Sequence, residues 1–290
     1  MNVFTIKDIE NLSGVKAHTI RIWEQRYNFL KPRRTETNIR YYSNEELKII
    51  LNIALLNKFG YKISHINKMD VGEIHKKLST LSHYQAQQER IINELIALMV
   101  DLEVDSFEEL LGSQIRDKGV EKIISDIIFP FLERIGILWI TNNINPAQEH
   151  LVTNIIRQKI VVGIETAVSH IQSNKVALLF LPEGEFHELG LLYVYYLLKN
   201  NGVKVLYLGA DVPVADLEFI VKAKKVDYLY THLTTVANNF NIEKFMHNVA
   251  SKAGEIPVMI SGPLTVAYKK LIPPHFRFLK SLQEVKDFIA

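Results

Sequence analysis

The chain has 290 residues, 48% hydrophobic and 23% charged, the balance of an ordinary soluble globular protein with room for two or three domains. It has no cysteine, which excludes disulfides, thiolate metal sites and cysteine nucleophiles, so any metal chemistry must use histidine and carboxylate. The net charge is +2, yet residues 1–70 carry 12 Lys and Arg against 7 Asp and Glu, while the remainder carries 22 against 25. A basic first segment on a slightly acidic body suits a polyanion-binding head. No run of about 18 apolar residues and no basic-then-apolar leader is present, so a cytoplasmic protein without a membrane partner is expected.

Thr5 to Leu12 begins with an N-cap residue, has Asp8 three positions on, and sets Ile6, Ile9 and Leu12 on one face of a short helix. Ser13-Gly14-Val15 breaks it. A second helix over Ala17 to Tyr27 turns Ile20, Trp23 and Tyr27 towards a core, so the pair reads as a helix-turn-helix. The polar complement on that second helix, His18, Thr19, Arg21 and Arg26, is placed to approach a major groove and its flanking phosphates. Pro32 to Tyr42, with Arg33, Arg34, Arg40 and Tyr41, reads as a hairpin-like wing. A helix from Ser43 follows, with Leu47, Ile50, Leu51, Ala54 and Leu55 on one side, and Gly60 to Ile66 opens a further short one. The order T-I-x-x-I-x-x-L-S-G-V-x-x-x-T-I-R-x-W-E-x-R-Y, then R-Y-Y at Arg40 to Tyr42, then G-Y-x-I-x-x-I, resembles the winged DNA-binding domain of the MerR family of transcriptional regulators over residues 3–72. That resemblance implies double-stranded operator DNA as partner and a regulator rather than an enzyme.

Residues 79–172 show helical periodicity throughout. Apolar stripes at Ile92, Leu95, Ile96 and Met99, at Phe107, Leu110 and Leu111, at Val120 to Phe131, and at Val152, Ile155, Ile156 and Ile160 predict a four-helix bundle. Trp139 ends the third helix, and Asn145-Pro146 starts the fourth, which places Glu149 and His150 in its opening turns.

From Lys175 onwards apolar runs alternate with helical patterns. Strands are expected at Val176 to Leu181, Val203 to Leu208, Asp227 to Leu233, Val258 to Gly262 and Phe276 to Leu279, with helices between them and a closing helix over Leu282 to Ile289. Such alternation specifies a doubly wound parallel sheet. His187 follows the first of these strands, at the end where open α/β sheets hold ligands, and Glu185 is near enough to orient its ring and leave one nitrogen for a metal. The fold class is therefore multidomain α and α/β: a winged helix-turn-helix over 1–72, a helical bundle over 79–172, and over 175–290 a doubly wound parallel sheet whose order resembles a flavodoxin-like module.

Glu185-Phe186-His187-Glu188-Leu189-Gly190 resembles the D/E-x-H-x-x-G signature of cobalamin-binding domains, which implies cobalamin as cofactor and His187 as the cobalt ligand. The spacing from Trp139 to Glu149-His150 resembles the helical cap of CarH-type light-responsive cobalamin regulators. There the tryptophan shields the upper corrin face and the Glu-His pair lines the same side. Gly209 to Pro213 resembles the family's G-x-D/N-V-P, which places Asp211 and Val212 in a loop after the second strand. Thr231-His232-Leu233 and Ser261-Gly262-Pro263 stand where the family has S-x-L and G-G, so Thr231, Leu233, Ser261 and Gly262 are expected near the cofactor's nucleotide tail. Gly190 is expected to permit close backbone approach there. Two departures are Pro263 in place of a glycine and Ile140 where CarH-type relatives carry a histidine that captures cobalt after photolysis. The resemblance implies a repressor that binds adenosylcobalamin, forms a homo-oligomer (dimer or tetramer) and acts as a photoreceptor. Its alternatives are a MerR-type regulator that has lost cobalamin or senses another ligand, and a corrinoid-carrying enzyme subunit.

Overall fold

The computed structural model describes residues 3–27, 29–140, 144–170, 173–234 and 240–290, with the side chains of residues 137–140 outside the description. It divides into two compact units, Met1–Ile156 and Arg157–Ala290.

The first unit opens with strand β1 (Phe4–Thr5) and helices α1 (Ile6–Ser13) and α2 (Ala17–Arg26). Thr5 caps α1, and Asp8 returns a bond to the Thr5 N–H, a reciprocal box worth about 1 kcal/mol. Gly14 then closes the helix at φ 71°, a left-handed conformation open to glycine at no Cβ cost. Strands β2 (Arg33–Arg34) and β3 (Arg40–Tyr42) form the antiparallel wing, and β1 pairs with the other edge of β3. Helix α3 (Asn44–Lys58) begins on a second box, Ser43 with Glu46, and α4 (Ile63–Ile66) and α5 (Val71–Ser79) follow. α5 was not legible from apolar spacing, because only Leu78 of it is buried; the Asp70-x-x-Glu73 capping box was its signal.

The bundle comprises α6 (Tyr84–Asp101), α7 (Val104–Lys118), the run α8 (Val120–Ile123), π-turn (Ile124–Ile128) and α9 (Phe129–Ile140), and α10 (Pro146–Thr166). Pro130 lacks an N–H, and the widened turn just ahead of it lets the helix continue past the missing bond. The predicted stripes converge: Ile92, Leu95, Ile96, Met99, Phe107, Leu111, Ile127, Phe131, Val152 and Ile156 are all buried, each worth about 1.5–3 kcal/mol of transfer free energy. Leu110 and Val120 lie only half-buried at the margin. The head and the bundle as far as Ile156 share one unit, the boundary falling within α10, with α3 packed on α6 and α1 on α9.

In the second unit β4 (Val176–Pro182), α11 (Glu188–Asn200), β5 (Lys204–Val212), α12 (Val214–Ala223), β6 (Tyr228–His232), α13 (Ile242–Ala253), β7 (Val258–Ser261), α14 (Pro263–Ala267), β8 (Phe276–Leu279) and α15 (Leu282–Ile289) alternate as expected. The five strands are parallel in the order β5-β4-β6-β7-β8, the flavodoxin-like order, whose switch point lies at the ends of β4 and β6. Leu178, Phe180, Leu229, Leu233, Val249 and Ile260 are buried in the core of this unit. The segment Gly209 to Val212, expected as a loop, is instead the end of β5. Its pairing with β4 slips in register there, and Gly209 (φ 85°) and Asp211 (φ 57°) take the left-handed turns that make the slip possible. Pro263, read as a departure in the tail contact, sits at the first position of α14, where its fixed φ suits a helix start.

Candidate functional site

The irregular end of β5 holds the loop that leaves β4. Asp211 accepts the Gly184 N–H through Oδ1 at 2.9 Å and donates its own N–H to the Glu185 carbonyl at 3.3 Å. Glu185 is fully buried, and its carboxylate accepts the His187 N–H (3.0 Å), His187 Nδ1 (2.6 Å) and the Thr234 N–H (2.9 Å). Burial alone would raise its pKa, but the hydrogen bonds from His187 and Thr234 and the imidazole's charge hold it below the usual carboxylate range. The Thr234 bond ties the β4 loop to the end of β6, across the switch point. With Nδ1 bonded to Glu185 and the side chain 57% exposed, the pair has the form of a carboxylate-oriented metal ligand. Among the described residues no three His, Asp or Glu side chains converge as a metal cage.

Beside this loop Thr231, Leu233 and Ser261 are buried. The Thr231 hydroxyl oxygen has no hydrogen-bond partner, a polar atom left for a ligand to satisfy. Ser261 Oγ bonds both the Tyr230 hydroxyl and His232 Nδ1 at 2.8 Å. His232 was not foreseen. Burial pushes its pKa down to about 4, the Glu185 charge opposing and His187 adding to the fall. A Cβ on Gly190 would stand 2.4 Å from His232 Nε2, so the close approach that Gly190 permits is to this ring. Gly262, at φ 102°, is required by the backbone, since a Cβ there would stand 2.4 Å from the Leu233 carbonyl oxygen. Val212 is buried at the end of β5. Glu188, next to His187, was also missed: it accepts Arg157 Nε and the Tyr207 hydroxyl, each at 3.0 Å.

On the bundle, Trp139 and Ile140 close α9, and their side chains lie outside the described residues. Asn145 caps α10 through the Ala147 N–H at 2.9 Å, and Glu149 and His150 follow in the first turns with Oε2 and Nδ1 3.3 Å apart. In the head His18, Arg21, Arg26, Arg33 and Arg34 are exposed, while Thr19 and Tyr41 are half-buried. Arg34 braces the wing turn through Asn38 Oδ1 at 2.6 Å. Arg40 has an internal task the sequence did not disclose: its Nε donates to Glu24 at 2.9 Å and Tyr42 donates to the same carboxylate, which pins the wing to α2.

Residues 4–70 match the MerR HTH family regulatory protein, residues 91–162 match a B12 binding domain, and residues 176–277 match a second B12 binding domain model. The chain is 27% identical to the HTH-type transcriptional repressor CarA of Myxococcus xanthus over 259 residues, covering 89% of this chain and 85% of that one. It is 29% identical to the HTH-type transcriptional repressor CarH of the same organism over 245 residues, covering 81% and 79%. The chain is thus homologous to both. In fold it is similar to the Methanosarcina barkeri monomethylamine corrinoid protein, with a TM-score of 0.55 at 16% identity over 69% of this chain and 97% of that one.

Proposed function

We propose that this chain, homologous to the CarA and CarH repressors over most of its length, is a DNA-binding transcriptional regulator whose operator binding responds to cobalamin. The observation that carries the reading is the buried Glu185 fixing His187 at the end of β4, in a chain whose first segment is a MerR-type winged helix-turn-helix. The head over 1–72 binds DNA, the bundle over 79–172 caps the cofactor, and 175–290 holds it. His187 is the ligand to cobalt, Glu185 orients it, and Asp211 and Val212 fix the loop that carries it. Thr231, Leu233, Ser261 and Gly262, with Gly190 behind His232, line the route for the nucleotide tail. Trp139, Glu149 and His150 are assigned to the upper corrin face by resemblance. Adenosylcobalamin is the preferred form. When bound, it supplies a cobalt–carbon bond that light can cleave. Repression follows if the bound form assembles several heads on one operator, because linked heads bind far more tightly than single ones.

A second reading, a regulator that senses a different ligand, is favoured by one observation: the His232 ring already occupies the space opened by Gly190. The absorption spectrum of the protein supplied with adenosylcobalamin separates the two. A histidine-ligated cobalt spectrum that co-elutes with the chain supports the first reading, and no retained corrinoid supports the second.

A further inference from the structure

The last carbonyls of a helix have no partners within it. At the end of α6, Leu102 turns left-handed (φ 61°), and the N–H groups of Leu102 and Glu103 fold back onto the Met99 and Leu98 carbonyls at 3.2 and 2.9 Å. Side chains from two other helices also bond this end. From α10, Gln148 is 4% exposed and donates Nε2 to the Met99 carbonyl (3.3 Å) and the Val100 carbonyl (2.9 Å). From α3 in the DNA-binding head, Asn44 donates Nδ2 to Asp101 Oδ1 (3.0 Å) and reaches the Val100 carbonyl (3.5 Å). Lys48 donates to Asp101 Oδ2 at 2.8 Å. Head and cap thus grip the same turn, and Gln148 is the residue immediately before Glu149-His150.

Two turns earlier α6 makes a second link of the same kind. Asn93, 7% exposed, donates Nδ2 to the Leu51 carbonyl of α3 (3.4 Å) and accepts Arg134 Nη1 of α9 (2.9 Å). α9 is the helix that ends at Trp139 and Ile140. The two helices that carry the cap residues are therefore each joined to α3 through α6 by side-chain amides, buried in Asn93 and Gln148 and half-buried in Asn44. Such amides tolerate little displacement, since a buried donor or acceptor pulled away from its partner is left desolvated and unsatisfied.

We infer that the C-terminal half of α6 is the joint through which the state of the cap reaches the DNA-binding head, with Gln148 and Asn93 as positioning residues. The inference rests on the regulator reading of this chain. α3 packs against α1, so a shift passed to α3 moves the base of the helix-turn-helix without either ligand touching the joint. Coupling between two ligand sites ordinarily changes affinity by about 5–150-fold.

The test uses the full chain with Gln148→Met and Asn44→Ala. In Gln148→Met the cobalamin spectrum is expected to stay that of the wild type. The ratio of operator affinities with and without cobalamin should fall at least about fivefold towards one, the lower end of ordinary coupling. Backbone hydrogen exchange in α3 should accelerate, although the substitution is on α10. An unchanged affinity ratio, or wild-type α3 exchange in folded Gln148→Met, overturns the joint. The exchange measurement needs no cofactor, so a chain that retains no cobalamin refutes the cobalamin reading while the joint is still decided. If Gln148→Met does not fold, Asn44→Ala gives the reciprocal reading: faster exchange at the start of α10 supports the joint, and none overturns it.

Discussion

The Glu185–His187 pair shows how far two adjacent side chains can define a chemistry. Removing the imidazole takes away the proposed ligand after β4, so His187→Ala should lose the histidine-ligated cobalt spectrum and bind corrinoid more weakly. Glu185→Gln, which keeps the shape but not the charge, should weaken binding less, within the roughly 10–100-fold typical of an outer partner. A His187→Ala protein with the full wild-type spectrum would remove the assignment. His232 leads to a pH effect. Its folded pKa of about 4 lies below the ordinary 6.5, so the unfolded chain takes up the proton first as pH falls. Stability should therefore decline from about pH 6.5 towards 4, by about 2 kcal/mol between pH 7 and 5. Glu185, whose pKa is also lowered, adds a loss only at more acid pH, where the unfolded carboxylate takes up its proton before the native one. Urea unfolding at pH 7 and 5 checks this: His232→Gln should flatten the difference, and an equal loss in both proteins would place the proton elsewhere. His187 and Glu185 were legible because they sit two residues apart after a strand. His232 meets Ser261 across 29 residues, and Arg40 meets Glu24 across 16, pairings that no local spacing announces.

At the scale of elements, the long amphipathic helices and buried parallel strands were readable because their apolar periods are regular. The misses are the places where backbone chemistry decides. α5 rests on a capping box with one buried residue, α14 on a proline at its first turn, and the last residues of β5 on two left-handed positions. The wing was expected, but its anchoring was not. Arg40 is occupied by Glu24, whereas Arg21, Arg33 and Arg34 are exposed on α2 and β2 and are the DNA contacts we propose. Replacing those three with alanine should weaken binding to specific and random duplexes alike and lower the salt slope by about one for each phosphate that is no longer neutralised. Arg40→Ala should act differently, destabilising the head by leaving Glu24 without its cation. A triple variant with a wild-type salt slope, measured by titration at several salt concentrations, would move the interface off this face.

For the whole molecule, the charge division visible in the sequence corresponds to a division of labour, with a basic head and a slightly acidic sensor body on one chain. A single MerR-type head reads a short half-site, so a useful regulator must present more than one. The cofactor-bound chain is therefore expected to elute as a dimer or tetramer in the dark, and to bind operator DNA more tightly in that form than without cofactor. Bound adenosylcobalamin would supply a light-cleavable cobalt–carbon bond, so a photoswitch would not require a protein chromophore beyond the corrin. Position 140 carries isoleucine, which offers no ligand to cobalt, so the illuminated state lacks a second protein lock from that position and should be less firmly held than one with histidine there. Ile140→His should make the illuminated state persist longer in the dark. Size-exclusion chromatography in darkness and after green light, with the cofactor content followed by absorption, decides the matter. A shift to smaller species on illumination supports a photoswitch, whereas identical profiles with cofactor bound in both conditions would leave a cobalamin-responsive regulator for which light is not the signal.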